Sequence, residues 1–214
     1  MYRPAAFDMS DVADIHAFID AAGPAHLVTM NAGGPVASVV PLLLDRGTGD
    51  SGVLLGHLAR PNPQWRDLVA GVEAIAIFPG ADAYVSPSSY ATKAETGKVV
   101  PTWNYEVVHA YGQLVVHDDV EWLRSLVTRL TERHEGRRPE PWAVTDAPAA
   151  YIDSMLKGIV GIELQLTRIE GKSKLSQNKS AADIDGVAAA LATGSAAERV
   201  VAAAMRAAAP RHGS

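Results

Sequence analysis

Val53-Leu54-Leu55-Gly56-His57-Leu58-Ala59-Arg60-Pro61-Asn62-Pro63-Gln64-Trp65 is the stretch on which the fold turns. Residues 53–59 form an apolar run too short for a buried helix and bounded by turn residues, so they read as a strand. Arg60-Pro61 bends the chain. Asn62 can then cap a short helix with Pro63 at its first position, Trp65 following and Leu68 and Val69 beyond. Strand, turn and helix start follow one another without a glycine-rich loop, and neither G-x-G-x-x-G nor a P-loop occurs anywhere in the chain. A doubly wound nucleotide fold lacks its fingerprint here.

Outward from this stretch, similar short runs rich in Val and Leu occupy 26–30, 36–44 and 74–78, and strand character returns at 103–116 and 159–169. Gly33-Gly34, Gly47-Thr48-Gly49 and Pro79-Gly80 punctuate them, while Gly158 and Gly161 loosen the start of the last. Between strands, Ser10 can cap a helix carrying Val12, Ile15 and Ile19, and Trp122, Leu126 and Leu130 share one stripe of a helix over 118–135. A further helix is predicted at about 148–157. Residues 86–102 read as a loop long enough to be functional. The expected class is mixed β/α+β: an antiparallel barrel of about six strands with inserted and C-terminal helices. Residues 1–179 form the barrel domain, and 180–214 an alanine-rich helical arm parted by Thr193-Gly194-Ser195.

The chain has 214 residues, 48% of them hydrophobic, enough for a sizeable core. With no cysteine, disulfides, thiolate nucleophiles and cysteine-ligated metals are excluded. His134-Glu135 lacks the second histidine of a zinc-peptidase helix, so no metal site is expected. Nineteen Lys plus Arg against 24 Asp plus Glu leave a net charge of −5, which argues against a broad phosphate-binding surface. The basic tract 133–139 reads as a solvated helix end. No leader and no membrane span are expected, and the reading is of a cytoplasmic protein.

Three clusters carry candidate chemistry. The turn at 56–65 gathers backbone N–H groups beside His57, Arg60, Asn62 and Gln64, which suits a phosphate or a polar ring edge; the alternative is a helix start with Trp65 in the core. The second runs from Tyr84-Val85-Ser86-Pro87 through Tyr90 and Lys93 to Val100-Pro101-Thr102-Trp103-Asn104-Tyr105, and could line a pocket for a planar heteroaromatic ligand; an aromatic sheet surface is the alternative. The third, Lys172-Ser173-Lys174-Leu175-Ser176-Gln177-Asn178-Lys179, suits an anion, but a solvated loop is the preferred reading.

These motifs, with Met1-Tyr2-x-Pro4-x-x-Phe7, Val108-His109-Ala110-Tyr111-Gly112, Pro141-Trp142 and Lys174-Leu175-Ser176-Gln177-Asn178, resemble the PaiB family of FMN-binding negative transcriptional regulators. The resemblance implies a split barrel similar to pyridoxamine 5′-phosphate oxidases and flavin reductases, with a homodimer holding FMN at the subunit interface. It further implies that Ser38, Val39 and the segment His57, Leu58, Ala59, Arg60, Asn62 and Gln64 approach the flavin and its phosphate. Lys93, Trp103 and Asn104 would line the pocket, and Gln177 would arrive from the partner. No catalytic residue is nominated. Ser173 stands where the family suggests an aromatic, so no ring stacking is expected there.

The function so implied is that of an FMN-binding regulator. A flavin reductase-like oxidoreductase is the alternative, and haem ligation by His57 or His109 a further one. Direct DNA binding through a helix-turn-helix at 184–209 is disfavoured, because Asp183, Asp185 and Glu198 offset Arg199, Arg206 and Arg211.

Overall fold

A computed structural model describes residues 1–49 and 51–208; the end of the expected arm, with Ala209 and Arg211, lies outside the described residues. Its elements are β1 (Asp8–Met9), α1 (Val12–Ala21), β2 (Ala25–Asn31), β3 (Gly34–Val40), β4 (Leu43–Asp45), β5 (Val53–Ala59), β6 (Ala74–Val85), α2 (Thr92–Thr96), β7 (Thr102–His117), α3 (Val120–Glu135), α4 (Ala149–Leu156), β8 (Ile159–Lys174), α5 (Ala181–Ala192) and α6 (Ala196–Ala208). The eight strands form one sheet in the order β3-β2-β6-β7-β8-β5-β4, with β1 paired antiparallel to β8. This is the antiparallel split-barrel class expected, with two more strands than the six read from the sequence.

One of the extra strands has an identifiable cause. The run 36–44 is broken at Pro41, which has no N–H for a ladder, so β3 ends at Val40 and β4 begins at Leu43. Gly56 on β5 lies against this break: a Cβ there would sit 2.7 Å from Leu42 Cδ2 and 3.0 Å from the Pro41 carbonyl. Gly161 does not loosen β8. It pairs with His57, and a Cβ on it would stand 2.2 Å from the Trp122 ring, so its bareness makes room for that indole.

Several boundaries shift. Asp11, not Ser10, caps α1, accepting from the Ala13 N–H at 2.7 Å. The helix expected after Asn62 is a single 3-10 turn, Pro63–Trp65. Within the expected loop 86–102 lie a 3-10 turn, Pro87–Ser89, and the short α2. β6 continues past Pro79-Gly80 to Val85, and β8 past residue 169 to Lys174.

The chain divides into two compact units whose bounds fall within β6, β7 and β8. One comprises His16–Phe78 and His109–Ile169. In it Asp119 caps α3 through the Trp122 N–H at 2.8 Å, and α3 buries Leu123, Leu126 and Leu130. Leu126 and Leu130 pack with Leu43, Val53 and Leu55, and Leu123 with Ile152 and Leu156 of α4. The other unit comprises Met1–Ile15, Pro79–Val108 and the chain from Glu170 onward. Its core joins Val85, Tyr90 and Leu175 to Ile184, Val187 and Leu191 of α5 and Val201 and Met205 of α6, so both C-terminal helices pack by their apolar faces. Ser180 caps α5 by accepting from the Asp183 N–H. Among the described residues, no helix is long and apolar enough to cross a membrane, and no group of three or more His, Asp or Glu is placed to hold a metal.

Candidate functional site

In the first unit, β5 delivers His57 and Leu58 and ends at Ala59, where the Asn62 N–H closes a tight turn onto the Ala59 carbonyl at 2.8 Å. Asn62 then works in two directions. Its Oδ1 accepts from the Gln64 N–H at 2.9 Å, and its Nδ2 donates to Ser38 Oγ on β3 at 3.0 Å. Gln64 is 0% exposed. Its Nε2 donates to the carbonyls of Leu27 at 3.0 Å and Val36 at 3.2 Å, binding the turn to β2 and β3. Buried Asn31 supports it from below, donating to the Gln64 carbonyl at 3.0 Å while accepting from Thr29 Oγ1 at 2.7 Å.

Arg60 is committed elsewhere. Its guanidinium pairs in fork fashion with the Asp118 carboxylate and donates to the carbonyls of Lys157 at 2.7 Å and Ile159 at 2.9 Å. The hydrogen bonds raise the pKa of Arg60 and hold that of Asp118 below the ordinary carboxylate range. Trp65 donates its indole N–H to the Arg60 carbonyl at 3.2 Å, and Arg66 lies over the Trp65 ring at 4.7 Å. Val39 is exposed beside half-buried Ser38.

In the second unit, Trp103 is 52% exposed and meets Tyr84 edge to face, ring centres 5.8 Å apart. Lys93 is exposed and donates to Ser88 Oγ at 2.9 Å. Asn104 is wholly buried, its Nδ2 donating to Ser176 Oγ at 3.0 Å and standing 3.3 Å from Met205 Sδ. Gln177 closes its own turn, accepting from the Leu175 N–H at 2.7 Å and donating to the Ser173 carbonyl at 2.6 Å. The lysine segment is not the solvated loop expected. Lys172 and Lys174 lie on β8; Lys172 is buried, with its ammonium 5.4 Å from the Tyr105 ring centre, and Lys174 donates to Thr102 Oγ1 at 2.6 Å and to the Trp103 carbonyl.

The twelve expected residues thus fall into two sets. Ser38, Val39, His57, Leu58, Ala59, Arg60, Asn62 and Gln64 lie in the first unit; Lys93, Trp103, Asn104 and Gln177 lie in the second. Sequence reading missed Thr29, Asn31 and Asp118, because nothing local marks a buried Asn beside a Gly-Gly turn or an acid 58 residues from its arginine.

Among the described residues, three buried side-chain polar atoms have no hydrogen-bond partner: His57 Nδ1, Gln64 Oε1 and the Tyr90 hydroxyl. Such atoms are uncommon in folded proteins, and an absent ligand is one standard cause. All three fall in the first two motifs quoted from the sequence. Burial holds the His57 pKa below its ordinary value, so its imidazole is neutral at pH 7. Neutral His57 has one nitrogen that donates and one that accepts, and Gln64 Oε1 can only accept. Together they fit the mixed donor and acceptor edge of a heteroaromatic ring. A cavity of about 620 Å³ lies elsewhere in the first unit, against α3 and α4 around Trp142 and Ile152, and none of these unpaired atoms lines it. For haem, His109 is the less available of the two histidines, since its Nδ1 meets the Tyr111 hydroxyl at 3.3 Å.

Comparison with known proteins agrees with this chemistry. The family model described as "Putative FMN-binding domain" matches residues 1–168. The protease synthase and sporulation protein PAI 2 of Bacillus subtilis is 33% identical over 183 residues, covering 86% of this chain and 85% of its own. An uncharacterized protein of Emericella nidulans is 35% identical over 182 residues, 71% of this chain and 72% of its own. The fold is shared with a conserved hypothetical protein from Mycobacterium tuberculosis (TM-score 0.57, 15% identity, 81% of this chain and 91% of that one). It is shared also with an FAD and heme binding protein from Mycobacterium smegmatis (TM-score 0.55, 19% identity, 85% and 79%). The chain belongs to this FMN-binding family, the PaiB-type family its motifs resemble, and FMN is its cofactor.

Proposed function

We propose that the protein is a homodimeric regulator that holds FMN at the subunit interface and responds through the bound flavin. The observation that carries the flavin assignment is the pair of buried, unpartnered atoms, His57 Nδ1 and Gln64 Oε1, on one strand and turn. In this reading they meet the polar edge of the isoalloxazine, while Val39, Leu58 and Ala59 give it apolar contact. Ser38 Oγ already accepts from Asn62, which leaves its own proton for a phosphate oxygen. Arg60, tied to Asp118, orients the turn rather than meeting the phosphate. In the second unit Trp103 offers a ring face, Asn104 fixes the strand beneath it through Ser176, and Gln177 holds its own turn. When bound, FMN brings hydride or electron-transfer chemistry; the protein orients it and excludes water.

Support for a second copy is the exposed apolar surface. β3 is the terminal strand of the sheet and exposes Val39; in the other unit Trp103 and Tyr84 are about half exposed beside a shallow cavity of about 430 Å³. Sedimentation of the FMN-loaded protein should give a dimer with one flavin per chain; an FMN-loaded monomer contradicts the interface. Reduction by a nicotinamide followed by many turnovers with an added acceptor would instead select the oxidoreductase reading. A DNA titration at several salt concentrations tests the regulatory one.

A further inference from the structure

The second unit contains a cavity of about 210 Å³ bordered by Phe7, Tyr90, Thr102, Asn104, Lys174 and Lys179. That is below the roughly 300–1,000 Å³ of ordinary ligand pockets, so it suits a small molecule or one end of a larger one. Phe7, Val100 and Pro101 give it an apolar side. Of the polar groups, Asn104 and Ser176 are committed to each other, at 3.0 and 3.1 Å.

Of the remaining polar lining groups, Thr102, Asn178, Tyr90, Lys174 and Lys179, the strongest donors are the phenol and the two ammonium groups. Tyr90 is 4% exposed, and its hydroxyl has no partner within hydrogen-bonding geometry. Nearby Ser176 pulls its pKa down, but burial and the Asp183 carboxylate outweigh this and keep the phenol protonated, a donor. Asp183 is itself held by the Thr92 N–H at 2.9 Å and hydroxyl at 2.8 Å. Lys174 directs hydrogen bonds to Thr102 and the Trp103 carbonyl, and an ammonium has a third. Lys179 lies 5.4 Å from the Tyr90 ring centre. Burial pushes the Lys174 pKa down, Tyr105 opposes this, and the neighbouring Lys172 and Lys179 charges add to it. The site therefore gathers two ammonium groups and a buried hydroxyl that lacks a partner, with the Asp183 carboxylate as the nearby counter-charge to Lys179.

We propose that this cavity binds a small organic anion, a carboxylate or phosphate borne on an apolar group, whose oxygens accept from Tyr90, Lys174 and Lys179. The anion would quench the repulsion among the lysines and complete the stranded hydroxyl. The proposal does not depend on the flavin assignment.

Calorimetric titration of the full chain with benzoate and with inorganic phosphate tests it, alongside Tyr90→Phe and Lys179→Gln. At least one anion should bind the unmodified protein one to one, and each variant should weaken it at least fivefold. Tyr90→Phe should melt no lower than the unmodified protein without ligand, because its hydroxyl has no bond to lose; Lys179 is exposed, so its variant keeps the test open if Tyr90→Phe fails to fold. FMN affinity should stay within twofold. A matching loss of FMN affinity would make this cavity part of the flavin site and overturns the proposal of a separate anion. Absence of binding by both anions, or variants that bind as tightly as the unmodified protein, overturns the proposal.

Discussion

The turn at 56–65 and the lysine segment at 172–179 are both dense in polar side chains, yet they finish differently. In the turn nearly every polar group is tied to the protein: Asn62 to Ser38, Gln64 to two strand carbonyls, Arg60 to Asp118. The groups left over are acceptor-capable atoms, His57 Nδ1 and Gln64 Oε1. Beside the lysine segment the group left over is a donor, the Tyr90 hydroxyl, among cations. The lesson is that residue type names a candidate, while the unpaired atom says what it can bind.

The largest effect that can break this comparison concerns Gln64. Gln64→Ala strands two carbonyls, and since a buried group without its partner costs about 1–3 kcal/mol, a loss of about 3 kcal/mol in urea unfolding is expected. Gln177→Ala, on a half-buried turn that closes only on itself, should cost about 1 kcal/mol. Equal losses would mean that the two amides do the same work and that the contrast drawn here is false.

Much of the fold was legible because short apolar runs bounded by turn residues do become strands: the run 26–30 lies within β2, along which Ala25, Leu27, Thr29 and Asn31 are buried. The far end of β8 was not, since the strand was expected to stop at 169 and Lys172 and Lys174 read as solvated. Each charged residue there has a partner distant in sequence: Glu170 pairs with the Met1 ammonium, Lys172 donates to the Tyr2 carbonyl at 3.2 Å, and Lys174 to Thr102. Tertiary pairing overrode local polarity. The site was legible as a set of motifs, but Asn62, Gln64 and Arg60 attract notice equally, and only their partners separate the structural amides and guanidinium from the unfinished atoms.

Arg60→Met sharpens the contrast less forcefully. With the guanidinium committed to Asp118, FMN affinity measured by flavin fluorescence should change less than threefold; a loss above tenfold would place Arg60 on the phosphate. Smaller still is a pH effect. The depressed pKa of His57 lies below the roughly 6.5 of an unfolded histidine, so the unfolded chain takes the proton first as pH falls. Stability from the neutral ring is complete above about pH 6.5 and is lost as pH falls through the folded value. His57→Gln should therefore flatten the stability profile between about pH 7 and 5; an unchanged slope would assign it to other groups.

The most direct measurement is the ¹⁵N spectrum of histidine-labelled protein during an FMN titration at pH 7. If the flavin completes the unpaired atoms of the turn, the His57 Nδ1 resonance moves in step with flavin binding. FMN that binds while His57 stays unmoved, or that does not bind at all, contradicts the assignment.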